Sequence, residues 1–229
     1  THDRTRRFST RVGDIVDREQ MVVGMRALVD GYWGFASSPV WSPDEMARLG
    51  REAVFQARTN ALGDSRIVEL ASRPIVAAGH WTMPVAIDPF ETSPLEVVDY
   101  LQSLSNFVAH SPGFGVTRNL CRFDVQEKAF AASDGSYCTQ RLYRSEGELA
   151  IAFEEKGVKK GTGVLDRLTP AGLGWELYKG QPLREHLERL IEEIREDARL
   201  PVKPVDVGRF DTACDPWTVG QLLDRTLGR

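Results

Sequence analysis

The stretch from Met21 to Ala36 limits the possible folds of this chain more than any other. Met21, Val23, Met25, Ala27 and Val29 alternate with Val22, Gly24, Arg26 and Leu28. One of the two sets is more apolar, and a period of two is the mark of a half-buried strand. Asp30-Gly31 follows, and both residues tolerate positive φ, so a tight hairpin turn is predicted with Tyr32–Ala36 as the returning strand.

The same logic extends to the neighbouring segments. Residues 5 to 40 read as strands, and so do residues 115 to 165. Cys121, Phe123 and Val125 alternate with Arg122, Asp124 and Gln126, Ser133-Asp134-Gly135 turns the chain, and Tyr137–Tyr143 runs back. Glu148–Phe153 reads as a further strand, and Gly161–Leu165 as another turn and strand. Such a meander favours antiparallel pairing.

Three helices interrupt the strands. Ser42-Pro43-Asp44-Glu45 combines a capping serine, a proline suited to the first helical position and the acid of a capping box. Met46, Leu49, Ala53 and Ala57 then share a helical face. Ser93-Pro94-Leu95-Glu96 repeats these signals ahead of Val97, Leu101, Leu104 and Val108, and Pro112-Gly113 stops that helix. Pro182 opens the clearest helix, striped by Leu183, Leu187, Leu190, Ile191, Ile194 and Ala198, with its charged side reading as a solvated face. Between the first two helices, Ala61–Pro89 reads as loops with a short strand or two.

Pro201 and Pro204 suggest a stiff linker, Phe210–Cys214 a short strand, and Asp215-Pro216 the start of a last helix through Leu222, Leu223 and Leu227. The fold class expected is α+β, a two-layer sandwich whose mainly antiparallel twisted sheet carries helices on one face. Residues 1–205 would form one domain and residues 206–229 the beginning of a second. Thr1–Arg7 lacks an initiator Met and the apolar core of a signal peptide, and the last helix meets no stop signal before Arg229. Both ends read as cuts in a longer chain.

Composition excludes several classes. No apolar run approaches the ~18 residues a membrane span needs. The net charge is −4 and the pI about 5.7, against a role in binding nucleic acid. The one basic cluster, Arg4, Arg6, Arg7 and Arg11, reads as the wet face of an edge strand. Cys121, Cys138 and Cys214 fit neither a disulfide framework nor a metal knuckle, and imply reduced, mostly buried thiols in a cytoplasmic protein.

The residues do not assemble a catalytic constellation. His2, His80, His110 and His186 include no pair with helical ligand spacing. Neither a nucleophile elbow nor a phosphate loop occurs, and Lys160-Gly161-Thr162-Gly163 reads as a hairpin turn. The neighbouring acids Glu154-Glu155 and Glu192-Glu193 point in different directions and make no acid/base dyad. Catalytic, cofactor and metal residues are all expected to be none.

Gly24-Met25-Arg26-Ala27-Leu28-Val29-Asp30-Gly31-Tyr32-Trp33-Gly34-Phe35-Ala36-Ser37 resembles the signature hairpin of TldD/PmbA-type proteins, the family once called modulators of DNA gyrase. Ile87-Asp88-Pro89-Phe90 and Phe130-Ala131-Ala132-Ser133-Asp134-Gly135 resemble further family segments in the same order. The resemblance covers nearly the whole chain and implies the N-terminal half of such a protein, with the family's first helix and strand missing ahead of Thr1. It also implies a homodimer or heterodimer with a TldD/PmbA-family subunit, and a chamber in which unfolded peptides are processed.

In catalytic members a His-Glu-x-x-Gly-His segment follows an Asp-Pro helix start. Its histidines help hold zinc, and its glutamate is the general base. Here the corresponding residues are Asp224-Arg225-Thr226-Leu227-Gly228-Arg229. Arginine stays cationic and serves neither as ligand nor as base. Zinc is therefore expected only in a catalytic relative or partner. The alternative is a peptide- or protein-binding regulatory subunit resembling TldE/PmbA, without proteolysis.

Overall fold

A computed structural model of the protein describes residues 1–10, 15–63, 67–165, 168–201 and 207–228. The chain divides into two compact units, Thr1–Ala198 and Arg199–Arg229. The first holds strands β1 (His2–Ser9), β2 (Val16–Met21), β3 (Val23–Val29) and β4 (Tyr32–Ser38), helix α1 (Pro43–Asn60), β5 (Gly79–Thr82) and helix α2 (Pro94–Ala109). It continues with β6 (Phe114–Ala131), β7 (Tyr137–Glu155), β8 (Val158–Val164), the one-turn α3 (Glu176–Lys179) and α4 (Leu183–Asp197). The second unit contains α5 (Pro216–Leu227), capped by the Asp215 carboxylate, which accepts the Thr218 N–H at 2.7 Å. The fold is α+β, with helices on one side of its main sheet.

The described residues form two sheets. The larger runs in the order β2-β1-β6-β7-β5, with β8 also paired to β7, and every pairing is antiparallel except β5 with β7. The smaller is the β3-β4 hairpin. Its turn residues Asp30 and Gly31 have φ of 52° and 85°, the positive values read from the sequence. Leu49, Ala53 and Ala57 of α1 are buried, and Leu49 and Ala53 pack against the hairpin residues Val23 and Ala36. A Cβ on Gly34 would lie 1.9 Å from the Ala53 carbonyl oxygen, so only glycine lets this helix lie so close to the strand.

The main core forms where α2 and α4 cover the sheet. Val97, Leu101, Leu104 and Val108 of α2, and Leu187, Ile191 and Ile194 of α4, meet Phe8, Cys121, Phe123, Leu149 and Ile151. Trp175 stacks on Tyr178 at 5.0 Å, and the Phe123 ring meets both edge-on at 5.8 and 6.4 Å, a geometry that adds to simple burial. Burial of this apolar surface is the main drive to fold.

Several expectations are corrected. Tyr137–Tyr143 and Glu148–Phe153 are one continuous strand, β7. Ser145-Glu146-Gly147 looks like a break in sequence, but a Cβ on Gly147 would lie 1.8 Å from the Tyr178 hydroxyl, so the glycine serves packing. The last hairpin turns at Lys156-Gly157, with φ of 52° and 76°, and Lys160-Gly161-Thr162-Gly163 lies inside β8. There the glycines make room for α4, since added Cβ atoms would come within 2.8 Å of Ile194 and Leu190. Phe210–Cys214 forms no strand, since no strand among the described residues pairs with it. Cys214 is exposed, Cys138 half-buried and only Cys121 buried. Arg11, Pro204, Arg229 and the expected boundary between residues 205 and 206 lie outside the described residues.

Candidate functional site

Strand register determines which side chains share a face, because partners directly opposite point the same way and alternate residues point the other way. Phe8 is fully buried in the core, so Arg6, Arg4 and His2 follow it along the helix side of the sheet. Their partners there are Asp17, Glu19 and Met21 on β2, and Phe123, Val125 and Glu127 on β6. The expected wet face is thus reversed for Arg4 and Arg6. β1 is an interior strand, and β2 forms the edge. Arg7, on the opposite face, is exposed.

Beyond the ends of the helices this face turns from apolar to charged. Arg4 and Arg6 both lie over the Phe90 ring, each 5.3 Å from its centroid, and both bond Asp17. These guanidinium bonds, Arg4's foremost, outweigh burial and hold the Asp17 carboxyl at about 2, below its ordinary 3.8. Arg6 also donates to the Phe90 carbonyl at 2.9 Å. Asp88 accepts the Tyr143 hydroxyl at 2.6 Å, while Glu176 accepts the Ala86 and Ile87 N–H groups. The Ile87-Asp88-Pro89-Phe90 segment is therefore a strap tied across the sheet. Burial, and then the Asp88 carboxylate, raise the Tyr143 phenol to about 12, which keeps it a proton donor.

One further row crosses all five strands of the main path: Met21, His2, Glu127, Arg141 and Thr82. Neighbouring strands lie about 4.8 Å apart, so these side chains form a continuous line. Two residues along, Ala129, Thr139 and His80 form a second row. With Trp41 from the β4–α1 connection, the two rows line a cleft of about 550 Å³. That volume is in the range of small-molecule sites.

Hydrogen bonds order the cleft. His2 bridges two strands, with Nε2 2.6 Å from Glu19 and Nδ1 3.3 Å from Glu127. His80 bridges two hydroxyls, with Nδ1 2.7 Å from Thr139 and Nε2 3.2 Å from Thr82. Arg141 lies between the acids, 3.6 Å from Glu127 and 3.5 Å from Asp88, with its guanidinium 5.2 Å from the Tyr143 ring centroid. The arrangement supplies a guanidinium, two hydroxyls and two imidazoles beside the apolar walls of Met21, Ala129 and Trp41.

The other sequence candidates of the first unit lie apart from the cleft. His110 ends α2, with its ring on the Asn106 carbonyl, and His186 pairs with Arg189 on the outer side of α4. Glu192 binds Arg195 at 2.8 Å. Asp224, Arg225 and Gly228 are exposed in and after α5, where the Asp224 carbonyl accepts the Gly228 N–H at 3.1 Å. The donor set at this position does not fit zinc, because one carboxylate stands beside an obligate cation. No group of three metal-binding side chains converges among the described residues. No helix among them is long and apolar enough to cross a membrane.

The cleft was not visible in sequence because its members come from five strands and a loop. One signal was available: alternation places His2, Arg4 and Arg6 on the same face as Phe8, an apolar side chain that marks the core side.

No family model and no curated protein matches the sequence. Solved structures match its fold. A modulator-of-DNA-gyrase protein from Bacteroides thetaiotaomicron superposes with a TM-score of 0.62 at 13% identity, over 99% of this chain and 50% of its own. TldE from Thermococcus kodakarensis gives 0.60 at 14% identity, over 85% and 43% respectively. Another modulator-of-DNA-gyrase protein, from Thermotoga maritima, gives 0.60 at 14%, over 85% and 42%. The chain thus spans half or less of the length of these structures. What it shares with them is the TldD/PmbA-like fold that the hairpin and strap segments resembled.

Proposed function

We propose that this chain is the N-terminal, non-catalytic portion of a TldD/PmbA-type protein that processes peptides. It would supply scaffold, dimer interface and chamber wall, with residues from about Asp206 onward beginning a second domain. The observation that supports this most is the fold likeness to TldE and the gyrase-modulator proteins over 85–99% of the chain. Peptide cleavage and pairing with a family subunit follow from the resemblance of residues 24–37 and 87–90 to that family, and the cytoplasmic setting from three cysteines that fit no disulfide framework.

In this reading zinc and general base belong to a partner subunit, since Arg229 cannot replace the second histidine as a ligand and Arg225 cannot replace the glutamate as a base. The full-length protein, alone and mixed with a catalytic family subunit, should be incubated with an unstructured peptide. Cleavage that needs the mixture and stops with a chelator is expected. No chelator-sensitive cleavage in either case would sink the proposal.

The same substitutions favour a second reading, a regulatory subunit that binds peptide or protein without proteolysis. It predicts saturable binding to the full-length protein with no turnover in any mixture.

A further inference from the structure

We propose that the cleft beside Arg141 binds a small organic carboxylate with an aromatic or large aliphatic body. Arg141 carries an incompletely used guanidinium. Arg141 Nε has no hydrogen-bond partner, the nearest carboxylate oxygens stand at 3.5 and 3.6 Å from the guanidinium, and the side chain as a whole is 38% exposed. Charge-assisted bonds from arginine to carboxylate are normally about 2.7–2.9 Å. Both flanking acids are closer to other partners, Asp88 to the Tyr143 hydroxyl at 2.6 Å and Glu127 to His2 at 3.3 Å. They hold Arg141 in place without filling its planar fork of donors.

The surroundings suit a ligand oxygen followed by an apolar group. Thr82, the neighbour of Arg141 across the β5–β7 pairing, and Thr139, one row away, have their hydroxyls fixed by His80. Met21, Ala129 and Trp41 supply apolar wall beside these donors, and Trp41 is 58% exposed, available to cover an aromatic or aliphatic body. Lys128 and the Thr1 terminus line the cleft as well, so its charge balance around the two acids favours an incoming anion. The C-terminal residue of a peptide and a free aromatic or aliphatic acid share this chemistry. Neither metal nor partner subunit is involved, so the inference stands whether or not the proteolytic reading holds.

The test is calorimetric titration of the 229-residue chain with N-acetylphenylalanine and its amide. Saturable binding of the acid is expected, weaker by roughly tenfold or more for the amide and for Arg141→Gln, the loss of a charge-assisted pair. Arg141→Lys should recover only part of the affinity, because lysine lacks the fork. Thr82→Val and Trp41→Ala give the same reading if Arg141→Gln fails to fold, each weakening the acid. A tripeptide ending in phenylalanine that binds tighter than 3-phenylpropionate identifies a peptide terminus as the source, and the reverse order a free acid. Absence of saturable binding at about 1 mM acid overturns the proposal. So does equal affinity for acid and amide, or binding unchanged by all the variants.

Discussion

Gly147 and Asp17 show how single residues in this chain carry roles that their type alone does not announce. Gly147 lies opposite Cys121 in the β6–β7 pairing, at a point where the fully buried Tyr178 leaves no space for a methyl group. Gly147→Ala should therefore destabilise the fold by about 1–3 kcal/mol, the usual cost of overpacking, as read by urea denaturation. Asp17 is bound by two arginines, and its folded carboxyl lies at about 2 against an ordinary 3.8. A depressed carboxyl stabilises the fold above its unfolded value, and that contribution is lost as pH falls through the folded one. Stability should thus decline between about pH 4 and pH 2 by a part that Asp17→Asn removes. With a third of its surface in water, that part is about 1 kcal/mol or less. A pH profile unchanged in Asp17→Asn would show that the arginine pair does not stabilise the fold.

At the scale of elements, two helix starts with nearly the same sequence behave differently. The Ser42 hydroxyl accepts the Glu45 N–H at 3.2 Å, whereas the Ser93 side chain makes no capping bond. Glu45 completes no reciprocal box, because its carboxylate is engaged by Arg48 at 2.7 Å. Ser42→Ala should then cost about 1 kcal/mol and Ser93→Ala no more than about 0.5 kcal/mol in thermal or urea unfolding. Equal losses would mean that the two caps are equivalent. The main strands, helices and the Asp30-Gly31 turn were legible because alternation, capping residues and positive-φ pairs are local signals. Gly161 and Gly163 read as a turn yet lie inside β8, because glycine in sequence does not tell a positive φ from the space that Leu190 and Ile194 require.

At the scale of the whole molecule, the second unit brings the zinc question to α5. Every described side chain of that helix is exposed, and its candidate position offers Asp224 beside Arg225. Elemental analysis of the dialysed chain should find no stoichiometric zinc at this position. One zinc per chain that is lost in Asp224→Ala would contradict that expectation. The cleft depends on a larger arrangement, because Met21, His2, Glu127, Arg141 and Thr82 become neighbours only when five strands take their register.

By itself the sequence determined the α+β class, the hairpin with its left-handed turn, the apolar stripes of three helices and the resemblance carried by residues 24–37. Each depends on periodicity or on backbone preference within a few residues. Only the tertiary structure decided that the hairpin forms its own sheet under α1, that β1 lies inside the main sheet, and that Arg4 and Arg6 face the helix side. It alone brought His2, His80, Glu127 and Arg141 into one cleft. Strand order and register are settled by which apolar faces can be buried together across the whole chain, and no local run of residues contains that sum.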